Sequence, residues 1–251
     1  MDNALYVGLS KQMVLRRELD IAANNMANVD TTGFKAESLI VNDDPVNMPR
    51  PIRGSTPVHY ALDNGVTRNF SQGALQQTGG PLDMAIEGQG FFQVQTAAGM
   101  RYTRDGRFAS DAQGRLITQQ GDPVLDASGS PISLNSQGGT PVIGKDGTIT
   151  QSVPGQPQAV VIGKVGVVRF DSLSSLSKQG DGLYTNTDST QPTAAPDASI
   201  HQGMLEASNV QPILQVTDLI RIQRAYEAVT QMVGNSGDLS ERAIQRLGAT
   251  Q

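Results

Sequence analysis

Residues 19–35 read Leu-Asp-Ile-Ala-Ala-Asn-Asn-Met-Ala-Asn-Val-Asp-Thr-Thr-Gly-Phe-Lys. The first part has helical periodicity, and the Asn-rich end runs into the turn Asp30-Thr31-Thr32-Gly33. Stepping outward by alternating fours and threes gives Met1, Leu5, Gly8, Gln12, Leu15, Leu19, Ala22, Met26 and Val29, of which seven of nine are apolar. Leu9 and Met13 widen the stripe on one side. This narrow, heptad-like spacing predicts a coiled-coil seam rather than the broad face of a globular helix. Fully helical, the run is about 42 Å long at about 1.5 Å per residue.

A second stripe lies at the other end of the chain. Leu219, Ile222, Tyr226, Val229 and Val233 are spaced three, four, three, four, with Ile213, Val216 and Ile220 beside them. Ser208 or Asn209 is expected to cap this helix, with Pro212 in its first turn. Gly234 and Asn235 are expected to stop it, and Ser236 or Asp238 to cap a last short helix through Leu247. Two such stripes also suit ordinary core helices; the heptad spacing at both ends favours a pair. Asn24, Asn25 and Asn28 interrupt good helix formers, because an amide side chain competes for backbone hydrogen bonds. Either they mark a fraying end, or they hydrogen-bond between helices and fix register and partner choice.

The run Leu-Asp-x-x-Ala-Asn-Asn-x-Ala-Asn-x-x-Thr-x-Gly-Phe-Lys at 19–35 resembles the N-terminal motif of the bacterial flagellar rod and hook proteins. Ser208-Asn209-Val210 and Gln223-Arg224-Ala225-Tyr226-Glu227 resemble their C-terminal motif, and the opening Met1-Asp-Asn-Ala-Leu-Tyr-Val is most like the proximal rod members. Gly88-Gln-Gly-Phe-Phe and Tyr102-Thr-Arg-Asp-Gly-Arg-Phe extend the likeness into the middle. The resemblance implies a structural axial subunit. Its terminal helices would form the inner tube of a hollow, torque-transmitting shaft, and a β-rich domain the outer layer. It implies as partners copies of the chain, homologous axial subunits and the flagellar type III export apparatus. Distal rod or hook proteins are the near rivals, although hook proteins generally carry a further inserted domain that 251 residues hardly allow. A secreted β-domain enzyme with helical dimerisation ends is the rival from another class.

Composition agrees with that reading. A net charge of −5 offers no basic footprint for nucleic acid. The chain has no Cys, hence no disulfide framework and no thiolate metal site. Aromatic residues make up 4% and Trp is absent, so the core is expected to be aliphatic and thin. Gly and Pro, 27 and 13 residues, argue for many turns. No apolar run of about 18 residues exists to span a bilayer. The N-terminus lacks the basic, apolar and small-residue zones of a secretory signal peptide. Export is therefore expected without a cleavable signal.

Between the helices, residues 36–80 are polar and punctuated by Pro45, Pro49, Pro51 and Pro57, which predicts an extended connector. From Leu82 the period becomes two. Leu82, Met84 and Ile86 alternate with Asp83, Ala85 and Glu87, and Phe92 and Val94 with Gln93 and Gln95, as in half-buried strands. Asp-Gly at 105–106, 146–147 and 181–182 predicts hairpin turns. Asp111-Ala-Gln-Gly114 and Asp126-Ala-Ser-Gly129 recur fifteen residues apart in what reads as a meander. Val160–Phe170 is the strongest strand run, and Thr185–Ser199 reads as loop. The expected fold is α+β: long N- and C-terminal helices pairing as a coiled-coil domain (residues 1–35 and 204–251), the connector, and an inserted antiparallel β-rich domain (81–203).

A catalytic set is not evident. His59 and His201 are the two histidines and suit surface roles. Ser175-Leu-Ser-Lys178 matches a Ser-x-x-Lys pattern without its companion motifs. Asp105, Asp111, Asp122 and Asp126 lack EF-hand spacing and sit beside, or three residues before, a Gly or Pro where turns need them. Gly88-Gln-Gly90 lacks the third Gly of a dinucleotide site and suits a bend between strands. The chain is expected to have no catalytic residue, metal, cofactor or small-molecule substrate. The residues expected to carry assembly are Leu15, Leu19, Asn24, Asn25, Met26, Asn28, Leu219, Ile222, Tyr226 and Val229.

Overall fold

The computed structural model describes residues 2–45, 59–188 and 190–248. Met1 and the prolines 49, 51 and 57 lie outside them. The chain divides into two units: residues 1–28, 36–69 and 210–251 form the first, residues 29–35 and 70–209 the second.

Unit 1 holds helix α1 (Asp2–Ala27), strands β1 (Glu37–Pro45) and β2 (His59–Arg68), and helix α2 (Pro212–Gly248). The helices run antiparallel: Gly8 meets Val233, Gln12 donates to Thr230 at 2.9 Å, and Asn25 donates to Gln215 at 3.1 Å. Leu15, Ala22 and Ile222 are buried between them, with Leu19, Leu219, Ala225, Tyr226 and Val229 packed around. The seam spacing therefore marks the pairing of the chain's own two ends. Residues expected to form a connector instead carry a long antiparallel ladder, Glu37 opposite Arg68 through Pro45 opposite His59, with an irregularity between Leu39 and Val41. That ladder explains why Val14 and Ile21, seven residues apart and outside the heptad seam, are buried. Val14 shares a groove with Ala61 and Leu62, and Ile21 one with Ser38 and Leu39.

Helix α2 differs from expectation at both ends. Pro212 takes the first helical position, where its missing N–H costs nothing. Gln211 precedes it, its carbonyl accepting Gln215 N at 3.1 Å, while the Asn209 amide is spent on Ser71. Gly234 and Asn235 do not stop the helix, which continues unbroken to Gly248. Gly234 keeps a negative φ, so no left-handed C-cap forms. Gly234 and Gly237 each cost about 1 kcal/mol in a helix interior, and good helix formers resume at Leu239 and carry the helix on.

Unit 2 is antiparallel β-structure: β3 (Leu75–Gln77), β4 (Met84–Glu87), β5 (Phe91–Thr96), β6 (Gly99–Thr103), β7 (Ala109–Ser110), β8 (Leu116–Ile117), β9 (Val142–Ile143), β10 (Thr148–Gln151), β11 (Val160–Lys164), β12 (Val167–Arg169), β13 (Leu176–Lys178), β14 (Leu183–Asn186), β15 (Thr193–Ala194), β16 (Ser199–Gln202) and β17 (Met204–Glu206). The largest sheet has the order β13-β14-β6-β5-β12-β15, and a second has β11-β10-β9. β4 pairs with β16, β3 with β17 and β7 with β8.

The two-residue period of β5 splits the core. Phe91 enters an aromatic cluster with Tyr102, Phe170, Leu176 and Tyr184, while Phe92 and Val94 enter an aliphatic one with Met84, Ile86, Leu116 and Ile149. Strands expected to be half-buried are covered on both faces: Met84, Ala85 and Ile86 are all buried, and so is Gln93. Two of the Asp-Gly pairs are hairpin turns. Asp181 and Gly182 both have positive φ, 60° and 70°, as the tight primed turn between β13 and β14 requires. Gly147 turns β9 into β10. Asp105-Gly106 is instead a corner between β6 and β7, where any Cβ on Gly106 would collide with the Met84 carbonyl. Val160–Phe170 is two strands in different sheets. The break at Gly166 lets its backbone lie against Asp126 O, which a Cβ would approach to 2.5 Å. Thr193–Ala194, read as loop, supplies the edge strand β15.

Candidate assembly interface

The expected interface residues separate by position. Leu15 and Ile222 are fully covered within the helix pair, and Leu19, Leu219, Tyr226 and Val229 are half-buried around them. Met26 and Asn28 are half-buried and Asn24 is exposed. The three asparagines have different tasks. Asn28 donates from its side chain to Asn24 O at 2.8 Å, a local bond that closes the end of α1. Asn25 is 2% exposed and bonds three ways. Its amide donates to Glu37 O at 2.8 Å and to Gln215 Oε1 at 3.1 Å, and its oxygen accepts Glu37 N at 2.9 Å. One buried side chain thus fixes the register of α1 against α2 and the start of β1. A buried amide so satisfied specifies geometry, whereas an unsatisfied one would cost about 1–3 kcal/mol.

What the helix pair leaves outside is strongly apolar. Among the described residues, Leu5, Tyr6, Leu9 and Met13 on α1 and Ile213, Leu214, Val216, Ile220, Met232 and Leu239 on α2 are 38–82% exposed. Single exposed apolar residues are ordinary, but rows of them along two neighbouring helices form a larger apolar surface than monomeric proteins usually leave open. Leu9, Met13, Val216 and Ile220 already flanked the stripes in the sequence; their exposure became visible only once the seam was filled from within the chain.

The motif Gly33-Phe34-Lys35 belongs to unit 2, and its chemistry was not legible beforehand. Gly33 has a φ of +68°, and a Cβ there would lie 2.6–2.8 Å from backbone atoms of Arg104 and Asp105. Phe34 lies under the Lys178 ammonium, 4.4 Å from the ring centroid. Lys35 is buried against Glu206, whose other oxygen takes Arg104 Nη1 at 3.0 Å. Lys35 also donates to Ser71 O at 2.7 Å, Arg104 to Gly88 O at 2.7 Å, and Gly73 N to Glu206 at 2.9 Å. The Arg104 guanidinium stands over Phe91 at 5.4 Å. Desolvation pulls the Lys35 ammonium below its ordinary pKa; Glu206 opposes this and Arg104 adds to it. Arg104 is lowered for the same leading reason. This buried charge group joins the segment where the chain enters unit 2 to the strand by which it leaves. The motif residues Lys35 and Arg104 carried a signal in the sequence; Glu206 carried none.

The residues weighed for chemistry are occupied structurally. Asp111 and Asp126 each accept two backbone N–H bonds, from the residues two and four positions on, at 2.8–2.9 Å. Desolvation is the largest single influence on both carboxyls and raises them, but these bonds together with side-chain hydrogen bonds from Arg115 to Asp111 and from Ser128 to Asp126 outweigh it and hold both below their ordinary pKa. Asp105 takes the Arg107 guanidinium and its N–H. His201 pairs with Glu87 across β16 and β4 at 2.7 Å; the side chain of His59 lies outside the described residues. Ser175 Oγ donates to Ser172 O. Gly88, with a φ of +97°, makes the bend between β4 and β5.

Comparison with known proteins accounts for this arrangement. Residues 5–35 match the family described as flagella basal body rod protein. Residues 85–151 match the flagellar hook protein FlgE/F/G D1 domain, and residues 201–246 the C-terminal family of flagellar basal body rod FlgEFG proteins. The chain is 53% identical over 248 residues to the flagellar basal-body rod protein FlgF of Caulobacter vibrioides, covering 99% of both chains. It is 31% identical over 261 residues to FlgF of Escherichia coli, covering 98% of this chain and 99% of that one. It is 31% identical over 257 residues to the rod protein FlgG of Buchnera aphidicola, covering 95% and 96%. The terminal helices, the β-rich unit between them and the motifs that bind each internally are therefore those of a structural, non-catalytic protein, and the chain belongs to the flagellar basal-body rod protein family.

Proposed function

We propose that this chain is a component of the proximal rod. It joins copies of itself and homologous axial subunits through its helix pair, in a hollow shaft that transmits torque. Leu15, Leu19, Asn25, Leu219, Ile222, Tyr226 and Val229 serve assembly by holding α1 and α2 in register, with Asn24, Met26 and Asn28 at the end of the pair. The neighbouring subunits cover the outer faces. The observation that carries this reading is the row of large apolar side chains left exposed along both helices. Burying such area supplies about 25 cal/mol per Å², so many small contacts repeated along a shaft sum to a rigid joint. The proximal position is supported by the opening Met1–Val7, which is most like the proximal rod members. The chain travels to the rod through the flagellar type III apparatus.

The test is electron microscopy of isolated basal bodies carrying a peptide tag in the loop at Gly155 of unit 2, a position with open space around it. Label at the membrane-proximal end of the rod is expected. Label at the hook-side end would overturn the proximal assignment, and an unlabelled rod would overturn the function.

A further inference from the structure

The β1–β2 ladder breaks register at one place. Leu39 pairs with Val66 and Val41 with Asp63, so Asn64 and Gly65 together face Ile40 alone. Two residues against one make a β-bulge, which disrupts the ladder locally. Gly65 has a φ of +101°, in the left-handed region that favours glycine, and a Cβ there would meet nothing within 4 Å. Asn64 is exposed, and no hydrogen bond among the described residues holds its side chain. The Gly65 N–H donates to the neighbouring carboxylate, Asp63 Oδ1, at 2.8 Å. The other oxygen of Asp63 lies 3.9 Å from Arg17 Nε, so the two oxygens have separate tasks.

This combination occurs once. Asn64-Gly65 is the one Asn-Gly pair in the sequence, and an Asn before another small residue recurs at Asn135-Ser136 and Asn235-Ser236. Those two are held differently. The Asn135 side-chain oxygen accepts Gln137 N at 2.9 Å. Asn235 lies inside α2, where backbone N–H groups are committed to the helix ladder. Only at the bulge do an exposed Asn amide, an unhindered backbone nitrogen after it and a carboxylate on that nitrogen's proton come together.

We propose that Asn64 is a self-modification site, at which the chain deamidates its own side chain with Asp63 as the base. Asp63 takes the Gly65 amide proton, and the nitrogen attacks Asn64 Cγ. A bond from Gly65 N to Asn64 Cγ forms, and the Cγ–Nδ2 bond breaks. The proton passes from Asp63 to the departing nitrogen, which leaves as ammonia, and a cyclic succinimide remains. Water then opens the ring at either carbonyl, giving aspartate or isoaspartate, with no change of oxidation state. Glycine at 65 matters because no side chain crowds the attacking nitrogen. Each event adds a carboxylate next to Asp63 and, in the isoaspartyl product, one more methylene in the backbone. The bulge already carries surplus backbone, so the ladder on either side keeps its register. The reaction needs no neighbouring subunit and is independent of assembly.

The test is peptide mapping by mass spectrometry of the purified full-length chain, held at neutral pH and sampled over days. The mass gain of an amide becoming an acid is expected at Asn64 first, while Asn135 and Asn235 keep their amides. That mass change separates the reaction from isomerisation at the Asp-Gly pairs, which leaves the mass as it was. Asp63→Ala should slow the gain at Asn64 several-fold in the folded chain. The same substitution should leave the rate unchanged in urea, where the bulge no longer sets Asp63 on the Gly65 N–H. An Asn64 that keeps its amide, or that is outpaced by Asn135 or Asn235, overturns the site. Equal rates for the parent and Asp63→Ala in the folded chain, or the same slowing in urea, overturn the part given to Asp63.

Discussion

Replacing Glu206 by Gln strikes unit 2 where two buried cations meet one carboxylate. Gln keeps the volume and an oxygen for Gly73 N, but removes the charge facing Lys35 and Arg104, which are 1% and 4% exposed. Removing one partner of a buried ion pair costs about 3–5 kcal/mol. An independent route gives a similar ceiling, because Lys35 can escape by losing its proton. Holding a lysine neutral at pH 7, about 3.4 pH units below its ordinary value, costs about 4.6 kcal/mol. At about 2–4 °C per kcal/mol for a chain of this size, E206Q is expected to melt about 6–20 °C below the parent. Lys35→Met removes the other end of the pair and should cost less, since Arg104 and Glu206 remain as a one-to-one pair at 3.0 Å. The assay is thermal unfolding followed by near-ultraviolet circular dichroism, which reports the packed Tyr102 and Tyr184 of the aromatic cluster. Parent-like melting of E206Q, or a larger loss for K35M than for E206Q, would refute the assignment of Glu206 as the shared anion.

Three further outcomes follow from the same geometry. The folded-state pKa of Lys35 lies below its unfolded value. Between the two, the unfolded chain therefore binds the extra proton and stability from this group rises with pH; below the folded value that gain is gone. Urea midpoints of the parent should accordingly gain on those of K35M as the pH climbs toward the ordinary lysine value, and parallel curves would contradict the buried, depressed ammonium. Gly33→Ala forces an L-residue to a φ of +68° against the Arg104 backbone, so it should cost more than the usual left-handed penalty of about 1–2 kcal/mol; an unchanged urea midpoint would show that the contact yields freely. A fragment spanning residues 70–209 keeps Glu206 and the β3–β17 pairing, so it should melt cooperatively and above a fragment spanning 81–203, in which Arg104 loses its anion. The reverse order in calorimetry would remove the role given to Glu206.

Legibility followed sequence distance. The helix pair could be read because its apolar residues repeat locally in alternating steps of three and four, and the β-rich middle because Phe92 and Val94 alternate with their neighbours. What α1 packs against could not, because Val14 and Ile21 are buried by a ladder whose polar strands, Glu37–Pro45 and His59–Arg68, carry little apolar alternation. Glu206 was invisible for a related reason: its partners Lys35 and Arg104 stand 171 and 102 positions away. Gly234 misled because glycine permits a helix stop without compelling one. Of the three asparagines, only the fold could tell the buried register-setting Asn25 from Asn24 and Asn28 at the helix end.

In the rod proposed above, the chain spends its seam on itself and offers the outside of the helix pair to its neighbours. Leu9 and Ile220 lie on that outer surface, each 47% exposed, so replacing both by Asp should leave the purified subunit within about 0.5 kcal/mol per site of the parent. In a shaft, the same carboxylates must be buried without partners, at several kcal/mol each. The measurement is electron microscopy of basal bodies from cells that export the Leu9→Asp, Ile220→Asp variant as their only copy. The expected result is a parent-like melting temperature for the free subunit together with truncated rods and non-motile cells. Full-length rods containing the double variant, in swimming cells, would contradict it.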